Sequence, residues 1–281
     1  VFQLNAPDVD VKNYKKPISE LGKGDIPKEA KFVEIAVRNF LTSQSTFEVG
    51  KIGVKVTTKS EFSSQFGFGS SSASTVCVIK ALSELTKQKL SNKQIFDLAY
   101  KTVLDIQGKA SGFDVAAAVY GGTLYYVIAG KIIKPLNLNS LPLIVGYCGI
   151  KADTVTLINK VSEKTARERK AVENIYNEIK RLVELGKETL LREDFSTLGD
   201  LMNQNQALLS QLGVSIDKLD QMIQAALEAG AYGAKLSGAG GGDCIICFAP
   251  PAKVKSVKKA ITQAGGQVID VKTNVEGVRI E

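Results

Sequence analysis

The 281-residue chain contains no histidine. That absence excludes every mechanism built on imidazole: no Ser-His-Asp triad, no Cys-His dyad and no HExxH metal site. Aromatic residues make up only 7% of the chain, and its lysines are scattered rather than blocked, so there is no footprint of a nucleic-acid-binding protein. No apolar run is long enough to span a bilayer, and no secretory pattern is present. Cysteine is scarce: Cys77, Cys148, Cys244 and Cys247 are the four. Cys244 and Cys247 form a C-x-x-C, but a zinc knuckle needs a second ligand pair, and none exists. The thiols therefore read as reduced and buried, in a cytoplasmic protein.

What is present describes an ordinary soluble globular chain, 44% hydrophobic and 23% charged. Its length predicts one large domain or two packed lobes. The net charge of +7 suits small anionic substrates, although solubility alone also accounts for it. Residues 1–26 read as extended or loop, and residues 27–41 as a helix opened by Pro27. Ile52, Val54 and Val56 alternate as a half-buried strand does over 51–58. Helices are predicted over 74–85, over 92–107 with Ser91 as cap, over about 162–212, over 216–229 and over 253–264. Strands are predicted over 123–128, 143–149, 244–248, 267–272 and 277–280. Strands and helices interleave without a strict βαβ rhythm, which points to α+β. The best candidate boundary lies at about 134–143.

Three segments carry chemistry. The first is Gly67-Phe68-Gly69-Ser70-Ser71-Ser72-Ala73, between a strand-like and a helix-like run. Small residues at a helix start let backbone N–H groups and the positive end of the helix dipole meet an anion. The serine hydroxyls could ligate phosphate oxygens or a hydrated Mg²⁺. No Gly-Lys-Ser/Thr ends the loop, so it is not a Walker A loop; the third glycine of a dinucleotide fingerprint is also missing. A tight turn with a serine N-cap is the plainer reading. The second segment places Asp114 after a Ser111-Gly112 turn, where it could accept a proton from a hydroxyl or cap the helix that follows. The third, Lys235-Leu236-Ser237-Gly238-Ala239-Gly240-Gly241-Gly242, suits positive φ, close approach to a ligand and an anion nest of N–H groups.

These segments, in this order, resemble the three motifs of the GHMP kinase superfamily. Residues 67–71 match Gly-Leu-Gly-Ser-Ser-Ala. Ser111, Gly112 and Asp114 match Pro-Ser-Gly-x-Asp, with Ala110 in place of proline. Residues 235–242 match Lys-Leu-Thr-Gly-Ala-Gly-Gly-Gly, with Ser237 in place of threonine. The stretch Leu198-Gly-Asp-Leu-Met-Asn-Gln-Asn-Gln and the later Leu212-Gly-Val-Ser are similar to the mevalonate kinase branch. The resemblance covers about residue 51 to the C-terminus. It implies a two-lobed α+β kinase, with an N-terminal lobe like ribosomal protein S5 domain 2 over 1–138 and a ferredoxin-like C-terminal lobe over 139–281. It also implies ATP and Mg²⁺ as cofactors. Gly67, Gly69, Ser70, Ser71, Ser72 and Ala73 would lie along the triphosphate, with Ser71 as the Mg²⁺ ligand. Asp114 would be the catalytic carboxylate. Ser237, Gly238, Ala239, Gly240 and Gly241 would border the transferred phosphate and the acceptor.

The implied partner is a small alcohol, with no nucleic acid and no membrane; a homodimer is expected by base rate. The implied activity is phosphorylation of mevalonate for isoprenoid precursor synthesis. Three departures bear on that reading. The family's N-terminal lysine and Gly-Glu-His stretch have no counterpart, so the first lobe is expected to lack its opening strands, and no catalytic lysine is assigned. Val103 stands where mevalonate kinases carry a Mg²⁺-binding glutamate, with Asp105 nearby. The segments around Gln107-Gly108-Lys109 and Gly242-Asp243-Cys244 are more similar to phosphomevalonate kinases. An acceptor that already carries a phosphate would need extra cations, for which Lys109 and Lys151 are candidates. A phosphomevalonate or sugar kinase, and a non-catalytic nucleotide binder, stay open.

Overall fold

A computed structural model describes residues 1–43, 53–139 and 141–281. The described residues divide into two compact units, one drawn from 1–64, 68–137 and 275–281, the other from 65–67 and 138–274. Lys51 and Ile52 of the expected strand over 51–58, and Ser140 of the candidate boundary, lie outside the described residues.

In the first unit β1 (Phe2–Ala6), β2 (Val11–Lys16) and β3 (Val54–Thr57) form a sheet in the order β2-β1-β3. β1 runs antiparallel to β2 and parallel to β3, with Phe2 opposite Lys16 and Val54. The stretch 1–26, expected as extended or loop, contains two paired strands. The polar residues Lys12, Asn13 and Lys15 hide the strand signal and are exposed, while Phe2, Leu4 and Ala6 alternate into the core. Parallel pairing needs a crossover, and α1 (Lys31–Ser43) lies in that connection.

Helices α2 (Ser70–Leu85), α3 (Asn92–Gln107) and α4 (Phe113–Tyr120) complete the core with Val76, Ile79, Phe96 and Val115, all fully buried. Each such side chain contributes roughly 1.5–3 kcal/mol on burial. α3 starts where expected, because Ser91 and Gln94 form a reciprocal capping box. The hairpin β4 (Thr123–Val127) and β5 (Ile132–Leu136) follows; β5 was not anticipated, since Pro135 masks it. The terminal segment returns to this unit. Gly122 N–H donates to Val275 O at 2.8 Å and Val278 N–H to Ala118 O at 2.9 Å. The strand expected over 277–280 does not form; Gly121 and Glu276 make an isolated bridge instead.

The second unit holds β6 (Leu143–Tyr147), α5 (Thr154–Arg167), α6 (Arg169–Leu191), α7 (Phe195–Leu212), α8 (Asp217–Glu228), β7 (Gly233–Ser237), β8 (Cys244–Phe248), α9 (Val254–Gln263) and β9 (Gln267–Ile269). Its strands pair antiparallel in the order β7-β8-β6-β9. The helical run expected over 162–212 is three helices, broken at Glu168 and again before Asp194, whose carboxylate caps α7 through Thr197 N–H at 3.0 Å. One sheet face buries Ala234, Leu236, Ile245 and Cys247 with Leu219, Met222, Val257 and Ile261 of α8 and α9. Cys244 lies in a different cluster, with Val145 and Tyr147. Residues three apart on a strand point to opposite faces. The C-x-x-C is thus divided by its own sheet, and burial pushes each thiol up to about 12.

Candidate active site

The head of α2 is built for close approach. Gly69 occupies the N-cap position with φ 73° and ψ 32°, a left-handed conformation that disfavours side chains. The serine N-cap expected there is corrected: no side chain caps this helix. Its first-turn N–H groups, which form the positive end of the helix dipole, therefore have no capping side-chain oxygen from Gly69. Ser70 is half-buried, Ser71 exposed and Ser72 buried.

The three serines are chemically identical, and the structure separates them. Ser72 Oγ donates to Asp114 Oδ2 at 2.5 Å. Asp114 lies in the first turn of α4, whose N-cap is Gly112, so its side chain is not the cap that the sequence left open. Its other oxygen accepts from Val115 N–H at 3.0 Å. A Cβ on Gly69 would stand 3.1 Å from Asp114 Cβ, so the glycine allows the two helix starts to meet. The Ser72–Asp114 pair was not foreseen. The signal was present: Ser72, Thr75, Val76 and Ile79 follow the buried stripe of α2, whereas Ser71 does not.

The turn before Asp114 is held by two phenols. Tyr100 Oη donates to Ala110 O at 2.9 Å, and Tyr126 Oη donates to Ser111 O at 2.6 Å while accepting from Gly130 N–H. Burial pushes the Tyr126 phenol up, which keeps it a donor. Val103 is almost fully buried in the apolar core, and Asp105 is held by Arg38 at 2.9 Å, Lys101 at 2.8 Å and Asn39 at 2.9 Å. Desolvation raises the Asp105 carboxyl, but its hydrogen bonds and cations prevail and hold it below the usual range. Neither residue offers a carboxylate with open coordination. Lys109 is exposed at the 108–112 turn.

In the second unit the glycine-rich segment is shorter than expected. Lys235, Leu236 and Ser237 belong to β7, paired with Ile246, Ile245 and Cys244. The loop proper is 238–243. Gly240 has φ 86°, and a Cβ on it would lie 2.2 Å from Val214 O. Gly241 N–H donates to that same carbonyl at 2.7 Å, and Asp243 N–H to Ile150 O at 2.7 Å. Asp243 accepts from Ala152 N–H at 3.2 Å and pairs with Lys151 at 3.3 Å, which occupies one of the two candidate cations. In this unit Gly67 packs so closely on Asp243 that a Cβ there would meet the carboxyl carbon at 2.4 Å. Lys235 Nζ donates to Leu236 O at 2.6 Å, and burial pushes its ammonium down to about 8.

Comparison with known proteins covers both units. Residues 31–122 match the GHMP kinases N terminal domain, and residues 187–267 the GHMP kinases C terminal family. The first match begins ahead of residue 51, where the motif-borne resemblance starts. The chain is 39% identical over 236 residues to a mevalonate kinase of Pyrococcus horikoshii, covering 82% of this chain and 70% of that protein. It is 40% identical over 234 residues to a mevalonate kinase of Thermococcus onnurineus, covering 82% and 69%. Among solved structures, the Methanococcus jannaschii mevalonate kinase matches with a TM-score of 0.77 and 28% identity, covering 95% of this chain and 83% of that one.

Proposed function

This chain belongs to the GHMP kinase family, and on that premise we propose that it transfers the γ-phosphate of ATP to the hydroxyl of mevalonate, the activity its relatives are named for. The observation that carries the assignment of roles is the Ser72–Asp114 contact, which sets a carboxylate at the uncapped N-terminus of a helix. Phosphoryl transfer demands positioning and charge stabilisation more than covalent chemistry, and neither requires histidine.

The roles follow from the donor and acceptor inventory. Backbone N–H groups of 69–72 hold phosphate oxygens, aided by the Ser70 and Ser71 hydroxyls, while Ala73 N–H closes the first helical bond on Gly69 O. Asp114 accepts the proton of the attacking hydroxyl. Its oxygens are aimed by Ser72 Oγ–H and Val115 N–H, which hold the carboxylate in one rotamer. The N–H groups of 238–240, adjoining Ser237, form a second nest for phosphate oxygens, with Gly241 N–H anchoring the loop on Val214 O. Ser71 is assigned the Mg²⁺ that accompanies ATP. Mg²⁺ keeps several waters and takes few protein oxygens, so a single hydroxyl can contribute to holding it beside the nucleotide phosphates. When bound, the ion supplies positive charge against the transferred phosphoryl group.

The sequence around Gln107–Lys109 keeps 5-phosphomevalonate as the second acceptor to try, although Lys151 is engaged by Asp243. No described helix is long and apolar enough to cross a membrane. We place the enzyme in the cytoplasm, working on a small alcohol without membrane or nucleic-acid partner, and as a homodimer by base rate. The test is Asp114→Asn, with turnover on mevalonate and binding of Mg-ATP measured separately. Turnover should fall by about two orders of magnitude or more while nucleotide binding survives. Intact turnover would remove Asp114 from the mechanism.

A further inference from the structure

The loop at 238–243 has no regular structure of its own, so something must fix where its amides point. β7 is an edge strand: β8 pairs with one side, and α7 covers the other. An edge strand has unpaired N–H and C=O groups that require partners when buried. Two side chains of α7, three residues apart on one face, supply them. Asn203 accepts from Ala234 N–H at 3.0 Å and donates to Tyr232 O at 3.2 Å. Gln206 Oε1 accepts from Leu236 N–H at 2.9 Å, and both partners are buried. Three helical residues advance about 4.5 Å and two strand residues about 6.6 Å. The extra methylene of glutamine over asparagine helps close that gap.

Gln206 does more than Asn203. Its Nε2 lies 3.1 Å from Ser215 Oγ, 3.2 Å from Asp220 Oδ1 and 3.3 Å from Ser210 Oγ. Ser215 Oγ donates to Asp220 Oδ1 at 2.6 Å. Ser215 follows Val214, whose carbonyl receives Gly241 N–H. One buried amide therefore ties the strand two residues before Gly238 to the turn on which Gly241 rests. We propose that Gln206 is a positioning residue for the glycine-rich loop, setting the aim of the 238–240 amides by fixing both supports at once. The inference deepens the kinase reading above and rests on it for its catalytic readout.

The experiment compares Gln206→Leu with Asn203→Leu, measuring thermal stability, kcat and KM, and amide hydrogen exchange over 237–243. Both substitutions remove edge-strand hydrogen bonds, so both should lower Tm by several degrees. Gln206→Leu alone should lower kcat about tenfold or more and speed exchange over 238–242, as a loose support displaces a reacting group. Asn203→Leu should leave kcat within about threefold, since its contacts stop at Ala234. The paired substitution Gln206→Glu with Asp220→Asn reverses donor and acceptor while keeping the local charge. It should recover most of the lost kcat, and it remains informative if Gln206→Leu folds poorly. Equal kcat losses in the two leucine variants, or unchanged exchange over 238–242 in Gln206→Leu, would overturn the proposal. A wild type silent on mevalonate would count against the kinase reading instead, and the exchange comparison would still decide whether Gln206 holds the loop.

Discussion

Asp114 and Ser72 set a demanding local geometry. A buried hydroxyl donating to a carboxylate at 2.5 Å is a charge-assisted bond, worth roughly 1.5–3 kcal/mol. Ser72→Ala frees one carboxylate oxygen to rotate away. It should lower kcat by about tenfold with little change in the KM for ATP, whereas Ser71→Ala should raise the Mg²⁺ requirement. Steady-state kinetics against Mg²⁺ and ATP separate the two, and interchangeable serines would contradict the assignment. Lys235 gives a prediction in pH. Its folded pKa of about 8 lies below the ordinary 10.5, so between those values the unfolded chain binds the proton and the folded chain does not. Stability contributed at this site is therefore least below pH 8 and grows as pH rises toward 10.5. The stability of wild type minus that of Lys235→Met should increase across that window in pH-dependent denaturant melts; a flat difference would mean the ammonium is solvated.

Among the elements, the glycine-rich loop separates conformation from contact. Gly238 and Gly240 have nearly equal positive φ, 81° and 86°, but only Gly240 sits against a backbone carbonyl. Gly238→Ala should cost about 1–2 kcal/mol, the left-handed penalty alone. Gly240→Ala should cost clearly more, because Val214 must move, and equal Tm losses would contradict the packing described. The same loop marks where sequence reading stops. Its glycines stand out, but Val214 and Ile150, which make them necessary, lie 26 and 90 residues away along the chain from Gly240. α3 was legible to its first residue because Ser91 and Gln94 write the cap locally. α2 was read as starting four residues late, since three serines look like loop until the buried stripe through Ser72 is followed. β2 was hidden by the exposed Lys12, Asn13 and Lys15, and 277–280 has strand-like composition but pairs with no described strand, Val278 N–H donating to Ala118 O instead. Periodicity reports which way a face points, not whether a neighbour is there.

For the whole molecule, three ordered motifs placed the chain in its family before any coordinate was known, and family matches over 31–122 and 187–267 agree. The proposed mechanism works by amides, one carboxylate and a nucleotide-borne cation, and so makes no use of the histidine that these 281 residues lack. Choice of acceptor is the property least visible in sequence, because the three motifs are argued from phosphate and hydroxyl chemistry that related acceptors share. The measurement that tests the account most directly is ADP release from Mg-ATP, with mevalonate and 5-phosphomevalonate offered side by side. The account predicts turnover on mevalonate. Turnover confined to the phosphorylated acceptor, or silence with both, would contradict it.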